Sequence, residues 1–158
     1  MGNIFLRPLV VVKIQEMQVD DYDMMIALWK NTPGIKLEAA DSLSRLAQYL
    51  DRNPGSNFVA VSESLVIGSV LGGTDGRRAY IYHLCVHERF QNQGIGSQLL
   101  ERCLGALSKL QVEETRVFVL SDNTEGLDYW RTRGWVEMND LMVMSLPLST
   151  VSNESNKN

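Results

Sequence analysis

Only two cysteines occur among the 158 residues, Cys85 and Cys103, and no CxxC spacing joins them. That excludes a disulfide framework, and their apolar surroundings make both reduced core residues. No basic run is longer than Arg77-Arg78 and the formal net charge is −4, so the footprint of a nucleic-acid binder is missing. No apolar stretch approaches the ~18 residues of a membrane span. The opening MGNIFLRPLVVVKIQ is interrupted by Arg7 and Pro8, no small-residue cleavage site follows, and position 6 is Leu where myristoylation of Gly2 needs Ser or Thr. These absences predict a cytoplasmic protein with neither membrane nor nucleic acid as partner. The only histidines, His83 and His87, straddle a strand end, where a four-residue spacing does not converge, so no metal is expected.

What is present is 44% hydrophobic and 22% charged, a balance that fits one globular domain over 1–148 followed by a polar, frayed tail over 149–158. LVVVKIQEM (9–17) reads as a β-branched strand. Asp20 or Asp21 starts a helix with Tyr22, Met25, Ile26 and Trp29 on one face. A second helix from about Asp41 carries Leu43, Leu46, Ala47 and Leu50, and stops before Asn53-Pro54-Gly55. NFVAVS, LVIGSVLGG and AYIYHLCV read as three strands joined by turns at Glu63-Ser64 and at TDGRR. Ile95, Leu99, Leu100, Cys103, Leu104, Leu107 and Leu110 make a strong amphipathic helix over about 95–110. TRVFVL (115–120) is a further strand, TEGLDYWRTR (124–133) a helix ended by Gly134, and WVEMNDLMVMSLPL a closing pair of strands. The order β-α-α-β-β-β-α-β-α-β-β predicts an α/β (α+β) fold, a mixed sheet with helices on its faces.

The stretch HERFQNQGIGSQLLERCL places glycines where a helix must begin. The first turn of a helix offers backbone N–H groups and the positive end of its dipole, which together suit a phosphate. Gly94 and Gly96 lack the Cβ atoms that would keep a ligand from that backbone, and Ser97 adds a hydroxyl. The competing explanation is a tight turn at Gly94 and close helix–sheet packing at Gly96. A Walker loop is excluded because no Gly-Lys-Ser/Thr follows, and the dinucleotide fingerprint because Leu99 stands where a third glycine is needed.

Gln91-Asn92-Gln93-Gly94-Ile95-Gly96 resembles the Q/R-x-x-G-x-G/A motif of the GNAT (Gcn5-related) N-acetyltransferases, after a strand and before an amphipathic helix as in that family. SDNTEGLDYWRTRGWVEM resembles the family's second signature, with Asn123, Gly126, Gly134 and Trp135 on its asparagine, small-residue, glycine and aromatic positions. GTDGRRAYIYHLCVH further resembles an uncharacterised bacterial subgroup. The similarity covers about residues 10–148. It implies the GNAT fold, a mostly antiparallel sheet of about six to seven strands splayed between the fourth and fifth, with about four helices. It implies acetyl-CoA as cosubstrate, with the pyrophosphate on the amides of Gln91, Asn92, Gln93, Gly94, Ile95, Gly96 and Ser97. The pantetheine arm would pair with the backbone of Leu84, Cys85 and Val86, and Asn123, Gly126 and Trp130 would line the other wall.

Acetyl transfer to an amine needs a proton acceptor, stabilisation of an oxyanion and protonation of the departing thiolate, with no acyl-enzyme required. The resemblance puts Tyr80 and Tyr82 where other members carry a carboxylate or imidazole, and Trp130, preceded by Tyr129, where they carry a tyrosine acid. Phenols near pKa 10 are poor bases at neutral pH, so Tyr80 and Tyr82 read as walls of the acceptor pocket ahead of catalytic groups. Period-two alternation assigns Tyr80, Tyr82 and Leu84 to one face and Ile81, His83 and Cys85 to the other. Arg89, Arg131 and Arg133 are candidate phosphate partners, Asp75, Arg77 and Arg78 a hairpin tip, and Glu125 and Asp128 a helix start that attracts a cationic amine or stabilises its own dipole. The expected partner is a small-molecule or protein amine, and a homodimer is compatible with the family. An acyl-CoA-binding sensor of the same fold, and a phosphate-binding α/β domain without CoA, are the alternative readings.

Overall fold

The computed structural model describes residues 10–153. Their elements are β1 (Lys13–Glu16), α1 (Tyr22–Lys30), α2 (Leu43–Arg52), β2 (Phe58–Ser62), β3 (Leu65–Thr74), β4 (Ala79–Val86), α3 (Ile95–Ser108), β5 (Thr115–Val117) and α4 (Thr124–Arg131). The chain packs as two compact units, one ending at Leu120 and one beginning at Ser121.

In the first unit the strands lie in the order β1-β2-β3-β4-β5, antiparallel up to β4 and parallel between β4 and β5. The hairpin between β2 and β3 turns on Glu63 and Ser64, both at positive φ (48° and 68°), the twist that two-residue hairpins favour. The parallel pair requires a crossover, which α3 supplies. Helix α3 covers one face of the sheet: a Cβ built on Gly72 would collide with Sγ of Cys103 and lie 3.3 Å from Leu107. Helices α1 and α2 cover the other face, where Met25, Leu28, Trp29 and Leu46 pack with Met17, Val59, Val66, Leu71 and Cys85.

Between α2 and β2, the Asn53-Pro54-Gly55-Ser56-Asn57 segment is more than a chain break. Asn57 Oδ1 accepts the N–H of Gly72 at 3.0 Å, Ser56 Oγ donates to the Gly72 carbonyl at 2.6 Å, and Asn53 Oδ1 accepts the N–H of Thr74 at 2.9 Å. These buried side chains stand in for ladder partners and fasten the end of α2 to β3.

The second unit holds α4, whose Asn123 cap accepts the N–H of Gly126 at 3.0 Å; the helix ends at Arg131, two residues short of the expected 133, and the chain turns at Gly134 (φ 84°). Trp130 is buried against Trp135, ring centroids 4.6 Å apart.

Several sequence expectations are corrected. Strand β1 is confined to Lys13–Glu16, and the expected start at residue 9 lies outside the described residues. Helix α2 begins at Leu43, which is 50% exposed, so the buried stripe starts at Leu46. Leu110 falls beyond the end of α3 and is exposed. Strand β5 stops at Val117, three residues short of the expected end at 120. Over 135–148 the closing pair of strands is not formed, which leaves five strands among the described residues. The turn is present, with Leu141 N–H bonded to the Met138 carbonyl at 3.3 Å, but no ladder joins its arms. Alternation reports a chain suited to one-sided burial; a strand also needs a backbone partner, and Pro147 lacks a donor.

Candidate functional site

Strand β4 departs from regular pleating at His83, the one residue in it with left-handed backbone (φ 48°). The register with β3 shifts between Ser69↔Cys85 and Leu71↔Tyr82, so His83 and Leu84 together oppose Val70. This bulge returns Cys85 to the face of Tyr82, that of α1 and α2, and the expected grouping of His83 and Cys85 with Ile81 is corrected. The His83 ring lies against Trp29 at a tilt of 52° (centroids 4.5 Å apart) and its Nε2 meets Oδ1 of Asp41 at 2.6 Å. Asp41 is itself fixed, its Oδ2 accepting the Glu38 N–H at 2.9 Å and its carbonyl accepting the Tyr22 hydroxyl at 2.9 Å. From beneath, Ser69 Oγ donates to the His83 carbonyl at 2.8 Å.

The pairing of β4 with β5 ends at Ile81↔Val117, and over Tyr82–Val86 β4 stays paired with β3 alone. His87 N–H bonds to the Ile67 carbonyl at 2.7 Å, so by alternation Cys85 also turns its backbone groups toward β3, and Val86 turns its own toward the split. There the Val86 carbonyl accepts Nε2 of Gln91 at 2.9 Å, which leaves one lone pair of that oxygen.

Four aromatic rings stand at the mouth of the split. Tyr82 and Phe118 are the first residues beyond the last ladder pair on either side, their centroids 6.4 Å apart. Tyr80 stacks on Tyr82 at 6.3 Å and on Phe118 at 6.0 Å, both at 17°. Tyr49 of α2 meets Tyr82 edge-on at 6.3 Å, and its buried hydroxyl has no partner among the described residues. Burial pushes the Tyr82 phenol above its usual range, and the neighbouring Tyr80 adds to this. Burial likewise raises Tyr49 and the Cys85 thiol. None of these groups is a base or thiolate at neutral pH. Phe118, 55% exposed, and Tyr49 were missed by sequence reasoning. The signal for Phe118 was its place two residues after Arg116, on the face of Arg116's partner Tyr80.

The loop after β4 leads into the N-terminus of α3. Gln91, Asn92, Gln93 and Gly94 are exposed, Ile95 is buried, and Gly96 and Ser97 are partly buried. Asn92 (φ 60°) and Gly94 (φ 79°) are left-handed, and a Cβ on Gly94 would meet nothing within 4 Å. Gly94 is thus required by backbone conformation, and the space beside it is open. The first rung of α3 is Gln98 N–H to the Gly94 carbonyl at 3.1 Å, so the amides of Ile95 and Gly96 precede the ladder.

The other sequence candidates are engaged locally. Asp75 accepts the N–H groups of Arg77 (2.8 Å) and Arg78 (3.1 Å), which hold its carboxyl below the usual range. Arg131 pairs with Asp128 and Glu137, and the Arg133 guanidinium lies 3.5 Å over the Tyr129 ring. Tyr129 meets Trp130 edge-on at 5.3 Å, and Glu125 is exposed in the first turn of α4. The Arg89 N–H bonds to His87 Nδ1 at 3.2 Å. No helix among the described residues is long and apolar enough to cross a membrane.

The family model of the acetyltransferase (GNAT) family matches residues 22–135, from the start of α1 to the end of the second motif. The chain belongs to the GNAT acetyltransferase family. An acetyltransferase of Yersinia pestis (strain Pestoides F) is 28% identical over 124 residues, covering 75% of this chain and 87% of the relative. The fold is similar to that of Ard1 from Thermoplasma volcanium, with a TM-score of 0.71, 22% identity and coverage of 82% of this chain and 85% of Ard1. It is also similar to the PaiA N-acetyltransferase from Thermoplasma acidophilum in complex with coenzyme A, with a TM-score of 0.67, 18% identity and coverage of 78% and 88%. The mixed α+β sheet with four helices is therefore the GNAT fold that the two motifs implied.

Proposed function

We propose that this chain transfers the acetyl group of acetyl-CoA to a primary amine by direct attack in a ternary complex, without an acyl-enzyme. The observation that carries the reading is the early end of the β4–β5 ladder, directly ahead of a glycine loop and the N-terminus of α3. A thioester with amide groups in its tail fits this arrangement. Val86 presents backbone toward the split as an edge strand does to a peptide, and exposed loop backbone with no Cβ at Gly94 leaves room for the pyrophosphate. Membership of the acetyltransferase family and the CoA complex of a similar fold support the same donor.

The residues of this chain divide the work by position. The amides of 91–97 hold the diphosphate, the backbone of Leu84–Val86 aligns the arm, and the rings of Tyr80 and Tyr82 wall the acceptor side. No carboxylate or imidazole occupies positions 80 or 82, and the Tyr82 phenol is pushed up by burial. On this reading the amine loses its proton to a group other than these phenols, with water the simplest acceptor, or enters already neutral. That feature also favours the second reading, an acyl-CoA sensor without turnover. Free thiol released from acetyl-CoA in the presence of an amine panel supports transfer, and CoA-dependent thermal stabilisation without thiol release supports the sensor. Saturation at about 100 times the dissociation constant should add about 2.7 kcal/mol. No stabilisation by CoA would overturn both.

A further inference from the structure

We infer that the Tyr80–Tyr82–Phe118 patch is the acceptor subsite and that it selects a primary amine carried on an aromatic or flat apolar body. The inference rests on the proposed transfer and names its acceptor class. Three rings from two strands stand with mutual centroid distances of 6.0, 6.3 and 6.4 Å and interplanar angles of 17°, 17° and 33°. They form one aromatic surface that bridges β4 and β5 where the ladder ends. The core explains only part of it: Tyr82 packs against the buried cluster, but Tyr80 is only partly buried and Phe118 is 55% exposed. An exposed ring that stacks on Tyr80 and tilts 33° to Tyr82 offers an adjoining flat group the same offset stacking that Tyr80 and Phe118 give one another.

Beneath the patch Tyr49 meets Tyr82 edge-on, with its hydroxyl buried against Gly73 of β3. The rim carries charges of both signs. Arg116, the Cα partner of Tyr80, and Arg78, which precedes β4, both pair with Glu114, Nε of Arg78 lying 3.7 Å from it, and Glu113 stands beside them. A polyamine has no flat group to offer the rings, whereas a ligand with one amine and a flat apolar body stacks on them. Stacked on Phe118 and Tyr80, it directs its amine along the patch toward the split, where the donor's reactive end is proposed to lie.

The test separates binding from turnover. The full chain, saturated with CoA so that no transfer occurs, is titrated with 2-phenylethylamine and, separately, with spermidine, reading the unfolding midpoint. Phenylethylamine should raise the midpoint in a saturable way, and spermidine should bind at least tenfold more weakly. Phe118→Ala and Tyr80→Leu should each weaken phenylethylamine at least tenfold while the shift given by CoA alone persists, which also shows that the variants fold. Equal or tighter binding of spermidine, or wild-type phenylethylamine affinity in both variants, would overturn the assignment. Thiol release from acetyl-CoA is then measured with the same two amines. Phenylethylamine that binds without releasing thiol sinks the transfer reaction and leaves the subsite standing. Turnover of spermidine alone does the reverse.

Discussion

Ser69, fully buried on β3, accepts the indole N–H of Trp29 at 2.8 Å while its own proton goes to the His83 carbonyl at 2.8 Å. One hydroxyl thereby joins α1, β3 and the bulge in β4. Ser69→Ala would leave a buried indole N–H without a partner, worth about 1–3 kcal/mol, and a partly buried carbonyl, worth less. We expect urea denaturation to show a loss of at least 2 kcal/mol. A loss below 0.5 kcal/mol on the scale of an exposed serine would mean that water replaces the hydroxyl.

Gly72→Ala should be severe because the added methyl meets both the Cys103 sulfur and, at 3.0 Å, the Ser56 backbone carbonyl. Overpacking of a rigid contact costs about 1–3 kcal/mol. Cys103→Ala removes the sulfur, so the double variant should recover part of the loss. A double-mutant cycle that shows strict additivity would contradict the contact.

Burial pushes the Cys103 thiol up to about 12, and the residue is 0% exposed. Its folded pKa stands above its unfolded value of about 8.5, so the unfolded chain releases the proton first and stability falls as pH rises from about 8.5 toward 12. Below that window the thiol is neutral in both states and its contribution is complete. The slope from this group approaches about 1.4 kcal/mol per pH unit. Guanidinium melts between pH 8 and 10.5 should be flatter for Cys103→Ala than for the wild type. Native protein at pH 8 should also titrate no thiols with an aromatic disulfide reagent and two after unfolding.

At the glycine loop, Gly96→Asp should abolish stabilisation by CoA while leaving the fold intact, because it adds a side chain and a negative charge at the start of α3. Gly94→Ala should lower stability by about 1 kcal/mol through its left-handed backbone alone, since its Cβ meets open space. Wild-type CoA affinity in folded Gly96→Asp would refute the phosphate assignment.

Tyr82→Phe and Tyr129→Phe should each keep kcat within about threefold, far from the 10²-fold loss of a true general acid or base. Trp130→Ala should raise the acetyl-CoA KM more than it lowers kcat. A hundredfold fall in kcat for Tyr129→Phe, read by thiol release, would make that phenol the acid.

Periodicity located α1, α3 and the hairpins because Met25, Trp29, Leu99 and Cys103 recur at helical spacing and because Glu63-Ser64 sits between two apolar runs. It misplaced Cys85 because period two presumes an unbroken pleat. The bulge at His83 arises from partners 14 and 42 residues away, Ser69 and Asp41, which no local window contains. The glycine loop was legible because Gly94 answers a backbone demand within one turn. The aromatic patch was only half legible: Tyr80 and Tyr82 are neighbours in sequence, but Phe118 joins them through the crossover that α3 makes. The arms around Asn139-Asp140 alternate like strands, yet pairing is decided elsewhere in the chain and no spacing reports it.

His83 is specified twice over. Its backbone sits at φ 48°, where glycine and asparagine are comfortable, yet its ring reaches Asp41 and lies against Trp29, which neither of those can do. The substitutes that satisfy the main chain forfeit the side chain, and the long or aromatic ones that approach Asp41 meet the steric resistance of left-handed backbone. A saturating library at this codon, sorted for folded protein, should therefore return a nearly solitary winner, whereas position 94, constrained by backbone alone, should return glycine with asparagine close behind.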